Sequence, residues 1–341
     1  MSRTARYRTA LAAVVVPLIM AAFASPVWAQ AWLPGKGEGT VSFLYQDMFV
    51  RYHEFPGIGR VDNGQITSQS LLVDVTYGVT DKLAVTFGIP WIASRYSGTN
   101  GHPLVDLSGP IPKYSGVNPL DDGNWHGTFQ DFRFDLRYNV VAKKGMALTP
   151  FVTSTTPSHD YTAFAHAAPG QDLRLLQLGA SGAKVLDRVV PGLFVQGRYA
   201  YGIAEQVVDI SHNRSNADLE VGYFVTPRMR LLLLGTGQLT HGGIDNRPNG
   251  RVTLGALYPY HDQITRINFL DVGGGVSYTL TDNIDLFGSL IRTVAARNGH
   301  IIDHGLSLGL SWGFSTKRAR DRAIASADRS LVKCQCAKSA S

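Results

Sequence analysis

"QDFRFDLRYNVV", residues Gln130 to Val141, alternates without a break. Phe132, Phe134, Leu136, Tyr138 and Val140 take one set of positions, and Asp131, Arg133, Asp135, Arg137 and Asn139 the other. Successive side chains of an extended strand point to opposite faces, so this period of two makes one face oily and the other ionic, whereas a helix would scatter both sets. In a soluble sandwich the oily face would be core and the ionic face would meet water. In a membrane barrel the oily face meets lipid and the ionic face lines a wet lumen. One strand does not choose between them, and the rest of the chain does.

Arg3, Arg6 and Arg8, the apolar run Leu11 to Ala24, and Val27-Trp28-Ala29 before Gln30 have the order of a secretory signal, so the mature chain is expected to start near Gln30. The apolar run is short for a bilayer and no comparable stretch follows, which predicts no transmembrane helix after cleavage. The formal charge of +6 sits at the ends: the signal arginines supply +3 and Ser315–Ser341 supplies +5, leaving −2 for the body. A nucleic-acid partner needs a basic patch on the folded body, and none is expected. Cys334 and Cys336 both lie in the polar tail, so no disulfide framework holds the fold. The tail lacks apolar periodicity and is expected to be disordered. With no linker or composition shift inside 38–314, the division is signal 1–29, one β unit over 30–314, and tail 315–341.

Five short turns recur with similar chemistry, at Tyr77–Asp81, Tyr138–Ala142, Lys184–Asp187, Tyr223–Pro227 and Tyr278–Asp282. Between them lie long polar segments near 51–65, 94–127, 157–171, 205–214, 241–266 and 296–301. Reading outward from the turns places strands near 38–50, 66–79, 82–93, 128–141, 146–156, 172–185, 192–204, 215–226, 228–240, 267–280, 283–295 and 302–314, with the phase ambiguous at 146–156, 172–185 and 283–295. An even strand count with short turns at one end and long loops at the other predicts an all-β fold: a closed antiparallel transmembrane β-barrel of about 12 strands, with short periplasmic turns and long extracellular loops in the bacterial outer membrane. A sandwich has no reason to sort its loops by length. Ser307-Leu-Gly-Leu-Ser-Trp-Gly-Phe314 resembles the C-terminal insertion signal of such barrels, which implies recognition by the barrel-assembly machinery. Tyr77, Tyr138, Tyr223, Tyr278, Trp312 and Phe314 then form a lipid-facing girdle near the short-turn rim.

The alternation also assigns a lumen. Asp74, Asp131, Arg133, Asp135, Arg137, Arg198, Asp218, Glu220 and Asp271 are the expected pore-lining residues, either bracing the bore as ion pairs or setting what passes. All ten histidines fall in the long loops or at loop-side strand ends. Exclusion from the lipid band accounts for that. A pH- or metal-sensing outer surface is the sharper alternative, but no His-x-x-x-His spacing occurs, and no metal site or cofactor is expected.

"SLLVDVTYGVTDKLAVTFGIPW" followed by "GTFQDFRFDLRYNV" resembles the outer-membrane family of meta-pathway phenol-degradation proteins or transporters. Tyr77-Gly78-Val79-Thr80-Asp81, Gly88-Ile89-Pro90-Trp91 and Gly127…Asp131…Arg137-Tyr138 carry the likeness, best over 66–156 and loosely over 38–314. The resemblance implies an outer-membrane channel for small solutes, aromatic or hydrophobic compounds among them, and supplies no residue roles. Two alternatives stand beside this non-enzymatic channel. One is a structural barrel whose basic tail binds a partner. The other is an outer-membrane lipid hydrolase, which needs a Ser and a His in reach on the outer wall. His304 and Ser307 are three apart on one strand and point to opposite faces, so no catalytic residues are expected.

Overall fold

In the computed structural model, which describes residues 31–143, 145–248 and 250–320, twelve strands close on themselves. They are β1 (Glu38–Phe55), β2 (Gly59–Gly78), β3 (Leu83–Ser97), β4 in two pieces (His126–Phe129 and Asp131–Tyr138), β5 (Met146–Pro157), β6 (Leu175–Val185), β7 (Leu193–Ala204), β8 (His212–Thr226), β9 (Met229–Gly242), β10 (Asn268–Thr281), β11 (Ile284–Arg297) and β12 (Gly299–Ser315). Each pairs antiparallel with the strand before it. The circle is completed by β12 against β1, where Val41 faces Trp312 and the Ser42 and Ser311 hydroxyls meet at 3.1 Å. No sheet edge remains, so the wall satisfies its own backbone groups within hydrocarbon. Among the described residues no helix is long and apolar enough to cross a membrane.

The phase of the opening strand is settled by exposure. Phe134, Leu136 and Tyr138 are 50%, 40% and 48% exposed, whereas Asp135 and Arg137 are 5% and 3% exposed. The same inversion of the soluble pattern runs round the wall: Leu71, Val75, Phe87, Leu219, Leu233, Leu290, Leu308 and Trp312 all face outward. Soluble monomers rarely expose apolar patches beyond roughly a few hundred Å², and an encircling belt of this kind requires lipid. Tyr77, Tyr138, Tyr223, Tyr278 and Trp312 are exposed toward the short-turn rim, and Phe314 is half-buried with its ring 6.0 Å from that of Trp312.

All twelve expected strands are present, and two expected loops are not loops. The segment 51–65 is a hairpin, because β1 and β2 stay paired from Tyr52 opposite Asp62 to a tip at Pro56–Ile58. The segment 296–301 narrows to a turn at Asn298, in the left-handed region at φ 53°. Above the hydrocarbon a ladder needs no apolar face, so polar composition imitates a loop while pairing continues. Two of the three strands of ambiguous phase owe it to aromatic residues facing inward: Phe151 on β5 and Phe287 on β11 are each 4% exposed. Leu44, Phe194, Leu232 and Phe287 form an apolar cluster inside the barrel.

At the short-turn end the segment from Ala31 to Gly37 folds into the bore as a strap. Ala31 is fully buried and its carbonyl accepts the Thr149 hydroxyl at 2.6 Å, while Trp32 packs on Ala147 and Ala183. Lys36 N donates to Asp81 Oδ1 (2.9 Å) and Gly37 N to the Gly78 carbonyl (2.8 Å). The Gly35 carbonyl lies 2.2 Å from where a Cβ on Gly78 would stand, so only glycine fits there. At the other terminus β12 ends at Ser315 and a helical turn follows, with Arg320 N donating to the Thr316 carbonyl. The expected signal segment and the rest of the tail, with Cys334 and Cys336, lie outside the described residues.

Candidate functional site

Alternation on β2, β4 and β7 brings opposite charges together on one wall of the lumen. Arg133 Nη2 meets Asp74 Oδ2 at 2.6 Å. Asp135 serves two arginines, with Arg137 Nε 3.4 Å from Oδ1 and Arg198 Nη1 3.4 Å from Oδ2, and it also accepts the Thr153 hydroxyl at 3.0 Å. Arg137 Nη2 donates to Thr86 at 2.6 Å, and the Arg198 guanidinium carbon lies 3.6 Å from the Phe151 ring centroid. Across the bore, Arg230 Nη2 donates to Ser277 (2.7 Å) and stands 3.9 Å from Asp285.

A cavity of about 360 Å³ lies against this network, lined by Asp74, Arg133, Asp135, Arg137, Arg198 and Asp218 together with Gln46, Gln177, Asn216 and Phe269. Six of the nine expected pore-lining residues therefore share one space. Glu220 and Asp271 line a much smaller void beside it, Asp271 accepting the Thr293 hydroxyl at 2.6 Å. Asp131 sits higher and accepts the Tyr161 hydroxyl. Arg230 and Asp285 were not among the expected lining residues. Each alternates inward on its strand, but a single inward charge amid an apolar stretch is a weak signal without the register. Thr76 borders both this cavity and a vestibule of about 600 Å³ at the short-turn mouth.

The long-loop mouth is covered by three segments, after β3, after β5 and after β9. The segment 98–125, including the hairpin of Leu104–Asp106 with Lys113–Ser115, folds over the barrel and is pinned by Asp121. Oδ2 of Asp121 accepts the His102 and His166 backbone N–H groups (2.8 and 3.1 Å), and Oδ1 accepts that of Ala167 (2.9 Å). Burial alone would raise this carboxyl, but the hydrogen bonds from His102 and the backbone outweigh it and hold it at about 2. Asn118 Nδ2 donates to the Phe164 carbonyl (2.7 Å). Gln171 Nε2 donates to the Asp262 carbonyl (2.7 Å) and Gln263 Nε2 to that of Gln171 (2.9 Å), which ties in the third segment. Within this cap a cavity of about 390 Å³ is lined by His53, His102, His166, His261 and His300. Burial, with His102 beside it, pushes His166 down to about 4, so its ring is neutral at ordinary pH.

Half of the histidines thus converge, although no spacing along the chain announces it. The outer wall holds a second unanticipated contact: Ser215 Oγ lies 2.8 Å from His241 Nε2 and 3.0 Å from the Tyr199 hydroxyl. Among the described residues no carboxylate or carbonyl holds His241 from behind. Ser307 is buried and His304 exposed, on opposite faces as expected.

No family model matches the chain, and a search of curated proteins finds no match either. Among solved structures it is similar to the COG4313 outer membrane channel from Pseudomonas putida F1, at 16% identity over 86% of this chain and 100% of that one, with a TM-score of 0.60. Two porins also align: KdgM in complex with disordered oligogalacturonate (8% identity, 81% and 99% of the two chains, TM-score 0.41) and NanC (9%, 81% and 99%, 0.43). Of these three the first alone is similar enough to compare folds, and at that identity the likeness concerns the outer-membrane barrel fold and nothing finer.

Proposed function

We propose that this barrel is an outer-membrane channel that admits small solutes through a mixed-charge lumen, with aromatic compounds as the class to test first. The observation that carries the proposal is the column of space inside a closed wall: the charged cavity of about 360 Å³ adjoins the short-turn vestibule at Thr76. Facing signs of charge along one wall suit a lining that sorts solutes by charge. The aromatic class follows from the sequence resemblance to meta-pathway phenol-degradation barrels, and Phe151 and Phe269 inside the bore agree with it. Because the cap and the strap lie across the two ends, passage requires both to give way.

The test is conductance in planar bilayers together with liposome swelling on a panel of small aromatic acids, phenols and sugars. Discrete conductance whose ion selectivity changes in Arg133→Ala or Arg137→Ala is the expected result. Silence under all conditions, including after release of the strap, would favour the structural-barrel reading. The Ser215–His241 contact favours a second reading, a hydrolase acting on lipid at the outer wall. Phospholipid turnover by the purified protein that His241→Ala abolishes would establish it, and the channel reading expects none.

A further inference from the structure

We propose that the loop cap holds a borderline divalent metal ion of the zinc type, ligated by Nε2 of His102, Nε2 of His261 and the carboxylate of Asp262. His102 follows β3, while His261 and Asp262 open the helical turn His261–Ile264 that precedes β10. Their ligand atoms converge from these separate loops. The two Nε2 atoms are 3.4 Å apart, His261 Nε2 is 3.2 Å from Asp262 Oδ1, and His102 Nε2 is 3.8 Å from Asp262 Oδ2. Tetrahedral zinc with bonds of about 2.0 to 2.1 Å has ligand-to-ligand edges of about 3.3 to 3.4 Å. The three observed distances, taken to a different Asp262 oxygen for each histidine, lie on either side of that value.

The far side of each ring faces a proton acceptor. Nδ1 of His261 is 2.8 Å from the Tyr258 carbonyl, which can only accept, so the proton is on Nδ1 and Nε2 presents a lone pair. Nδ1 of His102 faces Asp121 Oδ2 at 3.4 Å, a carboxylate held ionised by three backbone N–H groups, and with the proton on that side Nε2 of His102 presents a lone pair as well. A carboxylate or carbonyl behind each imidazole is the usual second shell of a metal-bound histidine. Two lone pairs and a carboxylate therefore face one another in a buried place, where His102 is 5% and His261 7% exposed. Asp262 Oδ2 is buried without a hydrogen-bond partner. Without an ion a proton on His102 Nε2 can bridge the two Nε2 atoms at 3.4 Å, and a metal ion takes the place of that proton between the two lone pairs and the carboxylate.

The donor set selects the ion. Two imidazoles and one carboxylate suit zinc, whereas calcium and magnesium prefer all-oxygen shells. A second grouping, His102 with Asp121 and His166, is geometrically close. It is the weaker choice, because both Asp121 oxygens already accept backbone N–H groups and Nε2 of His166 is 3.1 Å from the Asn100 carbonyl. The fourth position of the ion opens on the cap cavity that His53 and His300 also line.

The experiment uses the full-length protein without a histidine tag, folded in detergent, stripped with chelator and titrated with Zn²⁺ by calorimetry and with Co²⁺ by visible absorption. One ion per chain and an intense tetrahedral Co²⁺ band are expected. His102→Ala and His261→Gln should each weaken binding by roughly tenfold or more, while His241→Ala, on the outer wall, leaves it unchanged. Heat-modifiable migration on gels reports a closed barrel in every variant, so lost binding is separable from lost folding. No saturable binding, binding undiminished in both cap variants, or a weak octahedral Co²⁺ spectrum would overturn the proposal. None of these readouts depends on conduction.

Discussion

At the residue scale, Asp135 is the hinge of the charged wall. It pairs with two guanidinium groups, one of them on Arg137 at 3% exposure. Asp135→Ala leaves both cations facing a narrow bore, and a loss of about 3 kcal/mol is expected from removing one partner of a buried pair. Asp74→Ala should cost less, since its partner Arg133 is 36% exposed at the side chain and water replaces the carboxylate. Urea midpoints in lipid vesicles rank the two. On the opposite face of the same strand, Phe134→Arg puts a charge against acyl chains and should cost about 2 to 4 kcal/mol if that position lies near the midplane. The same substitution at Asn139, facing inward, should be mild by comparison. Equal effects at the two positions would refute the assigned phase.

At the element scale, strands and loops differ in how far sequence exposes them. β4 was legible because five apolar and five polar residues alternate strictly, and nothing but a strand between oil and water needs that. β5 and β11 were less so, since Phe151 and Phe287 break the rule that the lumen is polar. The upper halves of β1 and β2 were hidden for the opposite reason: outside the hydrocarbon the ladder carries residues such as Arg51, Glu54 and Arg60, which look like loop. The cap was not legible at all. His102, Asp121, His166 and His261 come from segments joined only by topology, and no local pattern records that Asp121 collects three backbone N–H groups. Asp121→Ala should release the segment 98–125 while leaving the wall closed. Externally added protease on intact vesicles checks it: new cleavage within that segment is expected, with heat-modifiable mobility retained.

At the scale of the whole molecule, the proposed channel has a closed wall with a cap at one end and a strap at the other, which places control of passage at its ends. Weakening the strap should raise conductance. Thr149→Val removes the hydroxyl that holds the Ala31 carbonyl, and Gly78→Ala places a methyl on the Gly35 carbonyl. Both variants are expected to show larger or more frequent openings in planar bilayers than the wild type. If cap and strap act in series, Asp121→Ala combined with Thr149→Val should exceed either alone. Unchanged conductance in both single variants and in the double variant would place the conduction barrier in the charged wall between them.

The Tyr77–Asp81 turn carries a consequence for anyone who handles this protein. Through Gly78 and Asp81 it grips the chain just ahead of the first strand, and Gly37 in turn receives the Thr316 N–H beyond the last strand. The two ends of the described chain are thus stapled together across the joint where the cylinder closes. Arg320 itself lines the short-turn vestibule; a peptide or fluorophore appended directly ahead of Ala31 would begin its path within the bore and obstruct it, so reporters and affinity handles belong at the C-terminus, past Ser341.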